Sequence, residues 1–421
     1  MPKINHNLIR RNAEKLLRET LADTPVAVIQ GARQTGKSTL IEMVSRDLNI
    51  KYISLDDPAA LTVAKSDPVG FCNQYSEGTL AIDELQLCPE LLRAVKLSVD
   101  QNRRPAQFIL TGSADLLHVS GANESLAGRA ETIKIWPFSR GELEGYEDSF
   151  VTKLMKGDVD VFLKSAIPCD RSKYADYTSI GGYPEVINRD QRRRNAFFRN
   201  YANGIMDHDA IEISGLAHLD KLGALWALIS AQTSGELNVL DISAKAQIPK
   251  SSLHAYLRLL QDLYLIHELP AWGKNLSNRV IGKKKISIND TGLACYFNGL
   301  DQEALHDVMN GEIFGPILES YILSELVKQQ TWSDIEYSLF HFRNRDKKEV
   351  DIVIELRDGR IIGIEVKAAK SVSQKDFQGM KALRDLAGNR FICGIVLYSG
   401  EEVFPYGSDM FLAPLSAIWA K

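Results

Sequence analysis

Four short apolar runs, separated by longer segments with helical periodicity, organise the first part of the chain. Each run ends in glycine or polar residues, and the runs are Val26–Ile29, Lys51–Leu55, Thr79–Ile82 and Gln107–Leu110. Buried strands that alternate with helices predict an α/β fold, with a parallel sheet covered by helices on both faces. Before the first run, residues 8–21 predict a basic amphipathic helix. Its expected packing residues are Leu8, Ile9, Leu16 and Leu17.

The first run leads into a glycine-rich loop with the sequence Gly31-Ala32-Arg33-Gln34-Thr35-Gly36-Lys37-Ser38-Thr39. The spacing Gly-x-x-x-x-Gly-Lys-Ser between a strand and a helix is the pattern of a phosphate-binding loop (P-loop). The glycines let backbone N–H groups approach phosphate oxygens, and the helix that follows adds its positive end. Lys37 offers a charge to the outer phosphates, and Ser38 offers a hydroxyl to magnesium. We therefore predict that these nine residues bind ATP, with Mg²⁺ as the second cofactor.

The third and fourth runs end in residues that suit ATP hydrolysis. Asp83 and Glu84 follow the third run, and Thr111 and Ser113 lie at the end of the fourth. We expect Asp83 to hold magnesium together with Ser38, directly or through water, and Glu84 to polarise the attacking water. If the fourth strand lies between the first and the third, Thr111 or Ser113 can sense the γ-phosphate or orient water.

Arg129 is a further candidate, since it follows the small-residue segment Ser125-Leu126-Ala127-Gly128. It can contact phosphate within its own chain or from a neighbouring subunit. A surface salt bridge is the alternative reading of the same residue.

Length, charge and cysteine content narrow the class of protein. A chain of 421 residues exceeds one ordinary core, so two or three domains are expected. A formal net charge of −4 gives no global attraction for nucleic acid, so such binding needs a local basic patch. The five cysteines form no Cys-x-x-Cys pair, which argues against zinc and a disulfide framework. The sequence shows neither a signal peptide nor a membrane-spanning run, which predicts a cytoplasmic protein with no membrane partner.

The middle of the chain holds two basic segments. Residues 141–235 have a mostly helical pattern, and Phe197 and Phe198 are flanked there by Arg192, Arg193, Arg194 and Arg199. That pattern fits a nucleic-acid patch or a solvated helix face. Residues 239–272 predict a winged helix-turn-helix. Its second helix buries Leu253, Tyr256, Leu257 and Leu260 and projects Lys250, His254 and Arg258 outward.

The segment Trp272–Asn289 carries only cations among its charged residues, which are Lys274, Arg279, Lys283, Lys284 and Lys285. A run of this kind predicts contacts with nucleic-acid phosphates. We therefore expect DNA as a partner, bound through Lys250, Arg258, Lys283, Lys284 and Lys285. A module that packs against another protein is the alternative.

The end of the chain places acids and a lysine on a predicted hairpin. Asp351 lies in the strand Val350–Leu356, and Glu365 and Lys367 share one face of the strand Ile361–Lys367. A three-residue loop at 357–359 pairs Asp351 with Glu365 and gathers the alternating aliphatic residues on the other face. A two-residue loop would mix the faces, so the hydrophobic pattern favours the longer loop, with Gly359 in its left-handed position.

Several of these motifs resemble a known family. The segments Gly31–Ser38, Ile82–Glu84, Leu110–Ser113, Ser125–Arg129, Gly181–Pro184 and Ile288–Gly292 are similar to those of prokaryotic AAA-type ATPases with a C-terminal DUF4143 domain. In addition, Asp351 followed by Glu365-x-Lys367 resembles the PD-(D/E)xK metal-dependent nucleases, and Glu319 matches a helical glutamate frequent in them. The resemblance implies a nuclease-like end in which two carboxylates hold magnesium and Lys367 positions a water.

Together these patterns predict four regions. They are an AAA-type P-loop ATPase domain (1–140), a helical linker or lid (141–235), a winged-helix-like domain (236–290) and a restriction-endonuclease-like α/β domain (291–421). The leading hypothesis is that ATP gates a DNA-binding, nuclease-like C-terminal module. The alternatives are a nucleotide-dependent switch that binds DNA or protein without cleavage, and a protein-remodelling ATPase. Analogy with related ATPases is compatible with a homo-oligomer.

Overall fold

The computed structural model describes residues 8–113, 126–213, 219–274, 279, 282–307 and 311–421. The chain divides into two compact units. Unit 1 comprises the chain up to Phe138 together with Asp262–Tyr264, and unit 2 comprises Ser139–Gln261 and Leu265–Lys421. The first predicted boundary, at residue 140, therefore lies close to the division between the units.

A parallel sheet of five strands forms the centre of unit 1. The strands are β1 Val26–Gln30, β2 Ile50–Ser54, β3 Thr79–Asp83, β4 Phe108–Gly112 and β5 Ala130–Lys134. Their order is β2-β3-β4-β1-β5, and every neighbouring pair is parallel. Strand β4 thus lies between β1 and β3, which is the condition on which the prediction for Thr111 and Ser113 depended.

Helices cover both faces of this sheet, and those in the described part are α1 Ala13–Asp23, α2 Lys37–Ser45, α3 Pro58–Ser66, α4 Pro68–Asn73 and α5 Leu91–Gln101. Alternate residues of β1 enter two different cores: Ala27 and Ile29 pack with α1 and α2, while Val26 and Val28 pack on the side of α3, α4 and α5. Both faces of the inner strands β1, β3 and β4 are buried, which explains why these strands are mostly apolar in sequence.

The first helix is shorter than the pattern predicted, because it begins at Ala13 rather than at residue 8. The guanidinium of Arg11 donates to the backbone carbonyls of Thr35 and Trp136, at 2.9 and 2.6 Å. These bonds fix the chain before the helix against the P-loop. Leu17 is buried as expected, whereas Leu8 remains exposed.

Unit 2 begins with helices, followed by a small antiparallel sheet. The helices are α6 Arg140–Glu144, α7 Phe150–Lys156, α8 Val159–Lys164, α9 Arg171–Ile180, α10 Gln191–Gly204, α11 Ala210–Ile213, α12 Leu222–Ala231, α13 Val239–Ala246 and α14 Lys250–Asp262. A π-helical segment, Ile205–Asp209, joins α10 to α11. The sheet strands are β6 Gly235–Glu236, β7 Ile266–Leu269 and β8 Lys285–Ile288, in the order β6-β8-β7.

A mixed sheet of six strands forms the end of unit 2. Its strands are β9 Tyr337–Arg343, β10 Glu349–Leu356, β11 Ile361–Lys367, β12 Phe391–Tyr398, β13 Phe404–Pro405 and β14 Met410–Pro414, in the order β13-β14-β12-β11-β10-β9. The remaining described helices are α15 Thr291–Phe297, α16 Gln302–His306, α17 Gly311–Gln329 and α18 Gln378–Ala387. Residues of α18 pack into one core with Val353 and Ile361 of this sheet.

The hairpin between β10 and β11 has the predicted three-residue loop. Ile352 pairs with Ile364, and the same register places Asp351 opposite Glu365. The N–H of Leu356 donates to the carbonyl of Arg360 at 2.8 Å, which closes the loop. Gly359 has a φ of +82°, the left-handed conformation that this loop requires.

Hydrogen bonds within unit 2 link the three regions predicted after residue 140. The backbone N–H of Phe150 donates to the side-chain carbonyl of Gln329 at 2.7 Å. The N–H of Gly182 donates to the carboxylate of Asp290, also at 2.7 Å. The second bond joins the motifs Gly181–Pro184 and Ile288–Gly292, so these motifs form a packing junction. A Cβ atom on Gly181 would lie 2.3 Å from Asp290.

Candidate functional site

The P-loop joins the end of β1 to the start of α2 through two glycines in left-handed conformations. Gly31 has a φ of +152° and Gly36 a φ of +94°. A Cβ atom on Gly31 would lie 2.0 Å from the carbonyl oxygen of Ile135, so only glycine fits there. The loop can therefore fold tightly against β5 while its N–H groups stay at the start of α2.

Lys37 is buried within this loop. Its ammonium donates to the carbonyls of Gly31 and Ala32, both at 2.9 Å. The hydroxyl of Thr35 also donates to the carbonyl of Ala32 at 2.9 Å. Of the other predicted ATP-binding residues, Gln34 and Ser38 are exposed, and Arg33 and Thr39 are half-buried. The loop thus presents polar side chains beside a fixed ammonium group.

Asp83 receives hydrogen bonds from several elements. The hydroxyl of Ser38 donates to its Oδ2 at 2.9 Å, and the backbone N–H of Glu84 donates to its Oδ1 at 3.1 Å. The hydroxyls of Tyr52 and Thr111 also donate to this carboxylate. Hard oxygen ligands of this kind fit Mg²⁺. The hydrogen bond between Ser38 and Asp83 thus brings together the two residues that we predicted to hold the metal.

Glu84 has an unusual backbone for a glutamate, with a φ of +57°. Burial raises the pKa of its carboxyl group, a hydrogen bond from Gln86 lowers it, and the charge of Asp83 raises it further. The amide of Gln86 also donates to the hydroxyl of Ser113 at 3.2 Å. The ends of β3 and β4 are thus joined beside the candidate base. A strained residue with a raised pKa is typical of functional positions.

Two residues at this site were missed by the sequence reasoning. Tyr52 reaches Asp83 from β2, and burial followed by that hydrogen bond raises the pKa of its phenol. Arg11 lies against the loop through Thr35, and its guanidinium stands 4.5 Å from the ring centre of Phe138. Neither residue belongs to a motif, so only the tertiary fold reveals them.

Arg129 does not reach the P-loop within its own chain, which corrects that part of the prediction. Its backbone carbonyl accepts from Val26 at the start of β1, the opposite end of the sheet from Gly31. Its Nε donates to Asp100 at 2.6 Å. In this chain, Arg129 therefore has the alternative role of a salt bridge. Ser125, in the same motif, lies outside the described residues.

Three of the five cations predicted to bind DNA lie beside acids from other parts of the sequence. Lys284 pairs with Glu268 at 2.5 Å, and Lys283 lies 3.8 Å from Glu236. Lys285 is buried, so the prediction that it contacts DNA is wrong. Outside this set, Arg279 makes a bidentate pair with Glu355, and Lys274 is exposed.

The arginine-rich helix α10 does not present aromatic rings for base stacking. Phe197 and Phe198 are buried in an aromatic cluster with Tyr183 and Tyr201. Arg194 is buried as well and donates to the carbonyl of Arg189 at 2.7 Å. The structure therefore favours the reading of this run as a helix face, whose exposed residues include Arg192 and Arg193.

Helix α14 keeps an exposed polar face as predicted. Lys250, His254 and Arg258 are exposed, while the opposite side buries Leu253, Tyr256, Leu257 and Leu260. Strand β6 and helix α13 precede it in the chain, and strands β7 and β8 of the same sheet follow it. This is the element order expected of a winged helix-turn-helix.

In unit 2 the predicted nuclease residues come together, with Lys285 added. The ammonium of Lys285 lies 2.8 Å from Oε1 of Glu319 and 3.4 Å from Oδ1 of Asp351. The other carboxylate oxygen of Asp351 accepts from the backbone N–H of Val366 at 2.9 Å. Lys367 donates to Oε1 of Glu365, also at 2.9 Å. We call these five side chains, Glu319, Asp351, Glu365, Lys367 and Lys285, the C-terminal cluster.

Burial dominates the electrostatics of this cluster. Burial, and next the charge of Asp351, raise the pKa of Glu319 to about 8. The same two causes raise the pKa of Glu365 well above its ordinary value. Burial by itself lowers the pKa of Lys285, but the carboxylates of Glu319 and Asp351 outweigh it and raise the pKa. Lys285 therefore carries its charge inside the cluster.

Two features are absent from the residues that the structure describes. None of the helices there is long and apolar enough to cross a membrane. Across the same residues, no three histidine, cysteine, aspartate or glutamate side chains are arranged to hold a metal ion.

Family models match three successive segments of the chain. A model described as an AAA domain matches residues 23–144, and a domain of unknown function, DUF4143, matches residues 314–418. Between them, a second domain of unknown function, DUF8612, matches residues 171–304. The first match contains the P-loop, Asp83, Glu84 and Thr111.

The two relatives described here match over 97% and 79% of the chain. A protein of Mycobacterium tuberculosis (strain ATCC 25618 / H37Rv) is 26% identical over 412 residues, which cover 97% of this chain and 84% of that protein. A protein of Haemophilus influenzae is 23% identical over 361 residues, covering 79% of this chain and 80% of that protein. Both matches extend well beyond the AAA domain.

Among solved structures, the chain is similar to a Walker-type ATPase of Pyrococcus abyssi. The TM-score is 0.44 at 18% identity, with 71% of this chain and 98% of that chain covered. RuvB of Thermotoga maritima gives a TM-score of 0.30 at 18% identity, covering 62% of this chain and 89% of that chain.

Proposed function

We propose that this chain, which combines an AAA domain with a C-terminal DUF4143 domain, binds and hydrolyses ATP with Mg²⁺ in unit 1. The observation that supports this most directly is the hydrogen bond between Ser38 and Asp83. It brings the first residues of α2 and the end of β3 to one point, next to Glu84. Phosphoryl transfer to water requires a phosphate-binding loop, a carboxylate for the metal and a second carboxylate for the water. Here the second carboxylate belongs to Glu84, whose backbone is strained.

Each residue then has a defined task. Lys37 and the N–H groups of the P-loop bind and orient the outer phosphates. The hydroxyl of Ser38 and the carboxylate of Asp83 would hold Mg²⁺, which supplies positive charge to the phosphate oxygens when bound. Glu84 orients a water for in-line attack and accepts its proton. Thr111 holds the carboxylate of Asp83 in place.

The test is ATP turnover by the purified chain, measured as phosphate release with Mg²⁺. We expect Lys37→Ala to lose ATP binding, and Glu84→Gln to bind ATP but turn over about 100-fold or more slowly. The matched controls are Lys65→Ala and Glu77→Gln, both exposed residues of the same unit, which should behave like the wild type. Unchanged turnover in Lys37→Ala and Glu84→Gln would place the ATPase site elsewhere.

We further propose that the nucleotide state of unit 1 controls DNA binding by unit 2. The observation that supports DNA binding is the exposed face of α14. On this face Lys250, His254 and Arg258 follow one another at intervals of one helical turn. The leading hypothesis from the sequence adds cleavage at the C-terminal cluster. The ammonium of Lys285 lies between Glu319 and Asp351. For this reason we favour a nucleotide-dependent binding switch over DNA cleavage.

DNA binding should be measured against salt concentration, in ATP and in ADP. A variant with Lys250→Ala and Arg258→Ala should bind more weakly to all sequences, and its salt slope should fall by about two, one for each phosphate contact. Lys164→Ala, an exposed lysine of α8, is the control. Binding that is equal in ATP and ADP would contradict the switch, and an unchanged salt slope would contradict the role of α14.

A further inference from the structure

Lys285 is the least expected member of the C-terminal cluster. It lies at the start of β8, the central strand of its sheet, and its side chain is only 8% exposed. The backbone of this residue pairs with both neighbours, opposite Glu236 and Leu269. Because both sides of the strand are hydrogen-bonded, the ammonium is held in its place by the sheet.

The ammonium of Lys285 contacts the same carboxylate oxygens that a metal ion at this position would need as ligands. It is 2.8 Å from Oε1 of Glu319 and 3.4 Å from Oδ1 of Asp351, so it bridges α17 and β10. Magnesium demands about six oxygen ligands at about 2.0–2.1 Å in octahedral geometry. A cation already placed between the two carboxylates repels a second one and occupies its ligands.

The second oxygen of Asp351 and the two oxygens of Glu365 offer no replacement site. Oδ2 of Asp351 accepts from the N–H of Val366, and Oε1 of Glu365 accepts from Lys367. Oε2 of Glu365 is buried and makes no hydrogen bond in the described structure. One carboxylate oxygen beside a second ammonium group does not make a site for a divalent ion. The residues present therefore do not fit the metal that the nuclease resemblance implies.

We infer that Lys285 is an internal cation that replaces the divalent metal in this domain. The lysine ties β8 to α17 and β10 through its contacts with Glu319 and Asp351. The wild-type chain accordingly holds no divalent ion between Glu319 and Asp351 and does not use one there to cleave phosphodiester bonds. The cluster is a structural ion network on a nuclease-like arrangement of residues.

The inference can be tested with Mn²⁺ as a probe, read by electron paramagnetic resonance and calorimetry. The full chain carries Asp83→Asn throughout, which removes the carboxylate that is expected to bind a cation in unit 1. In this parent we expect no bound Mn²⁺ that depends on Asp351. Lys285→Met, which removes the charge and keeps the length, should gain one Mn²⁺ per chain, at least about tenfold tighter than any binding in the parent. Adding Asp351→Asn should abolish the gain.

Lys283→Met is the matched control, since Lys283 lies two residues earlier and its side chain is 70% exposed. It should not gain a site. The inference is overturned if the parent already binds Mn²⁺ and loses it with Asp351→Asn, or if folded Lys285→Met gains nothing. If Lys285→Met does not fold, Mn²⁺ binding by the parent with and without Asp351→Asn still tests the inference. ATP turnover plays no part in this test, so its outcome is independent of the proposed ATPase.

Discussion

The hydroxyl of Ser38 donates to Oδ2 of Asp83 across 2.9 Å, although the two residues are 45 positions apart in the sequence. Strand β4 lies between β1 and β3, and the hydroxyl of Thr111 at its end donates to the same carboxylate. Asp83 is therefore oriented by groups from α2, β2 and β4.

Thr111 should act on magnesium dependence rather than on ATP affinity. Thr111→Val keeps the shape of the side chain but removes the hydroxyl that donates to Asp83. Because outer partners typically tune metal affinity about 10–100-fold, we expect the Mg²⁺ concentration for half-maximal turnover to rise at least about tenfold. Thr132→Val, on the exposed side of β5, is the control. A lower kcat with unchanged Mg²⁺ dependence would instead indicate direct sensing of phosphate.

Arg11 should stabilise the P-loop from outside the motif. Its two hydrogen bonds to Thr35 and Trp136 satisfy backbone carbonyls that Arg11→Ala would leave unpaired. We expect the free energy of unfolding of unit 1 to fall by about 1–3 kcal/mol, with weaker ATP binding, in a denaturant titration followed with and without nucleotide. Arg10→Ala is a close control, because that side chain is 80% exposed. Equal effects of the two substitutions would refute the assignment.

The acid limb of the pH profile should report Glu84. Burial raises its pKa above the ordinary 4.5, and the base acts only when ionised. Turnover at saturating ATP and Mg²⁺ should therefore fall with decreasing pH at values above that of an ordinary glutamate. Gln86→Leu removes the hydrogen bond that lowers the pKa, so the limb should move further toward neutral pH. A limb that stays in place in Gln86→Leu would exclude Glu84 as its origin.

The sheet of unit 1 could be predicted because its signals are local. A buried run, two glycines and a lysine at fixed spacing define the strand, loop and helix from Val26 to Ser45. The loop between β10 and β11 could be predicted equally well. The alternation of apolar residues allows only one register, which places Asp351 opposite Glu365. In both cases neighbours in the sequence decide the structure.

Lys285 was misread because its environment is set by distant residues. Within the run Lys283-Lys284-Lys285 all three look like solvated cations. Glu319 and Asp351, which decide the burial of Lys285, lie 34 and 66 positions away. The predicted phosphate contact of Arg129 within its own chain was wrong for a related reason. Nothing in the neighbouring sequence shows that β5 runs parallel to β1, so that it begins at the end of the sheet opposite the P-loop.

Glu319 should make the stability of unit 2 depend on pH. Its folded-state pKa is raised to about 8 from the ordinary 4.5, so the folded chain keeps a proton that the unfolded chain releases between these values. The stabilisation is therefore complete below about pH 4.5 and is lost as the pH rises toward 8. Glu319→Gln cannot ionise and should lose less thermal stability between pH 5 and 8 in calorimetry. Glu312→Gln, exposed on the same helix, should follow the wild type. Parallel curves for all three proteins would show that Glu319 titrates normally.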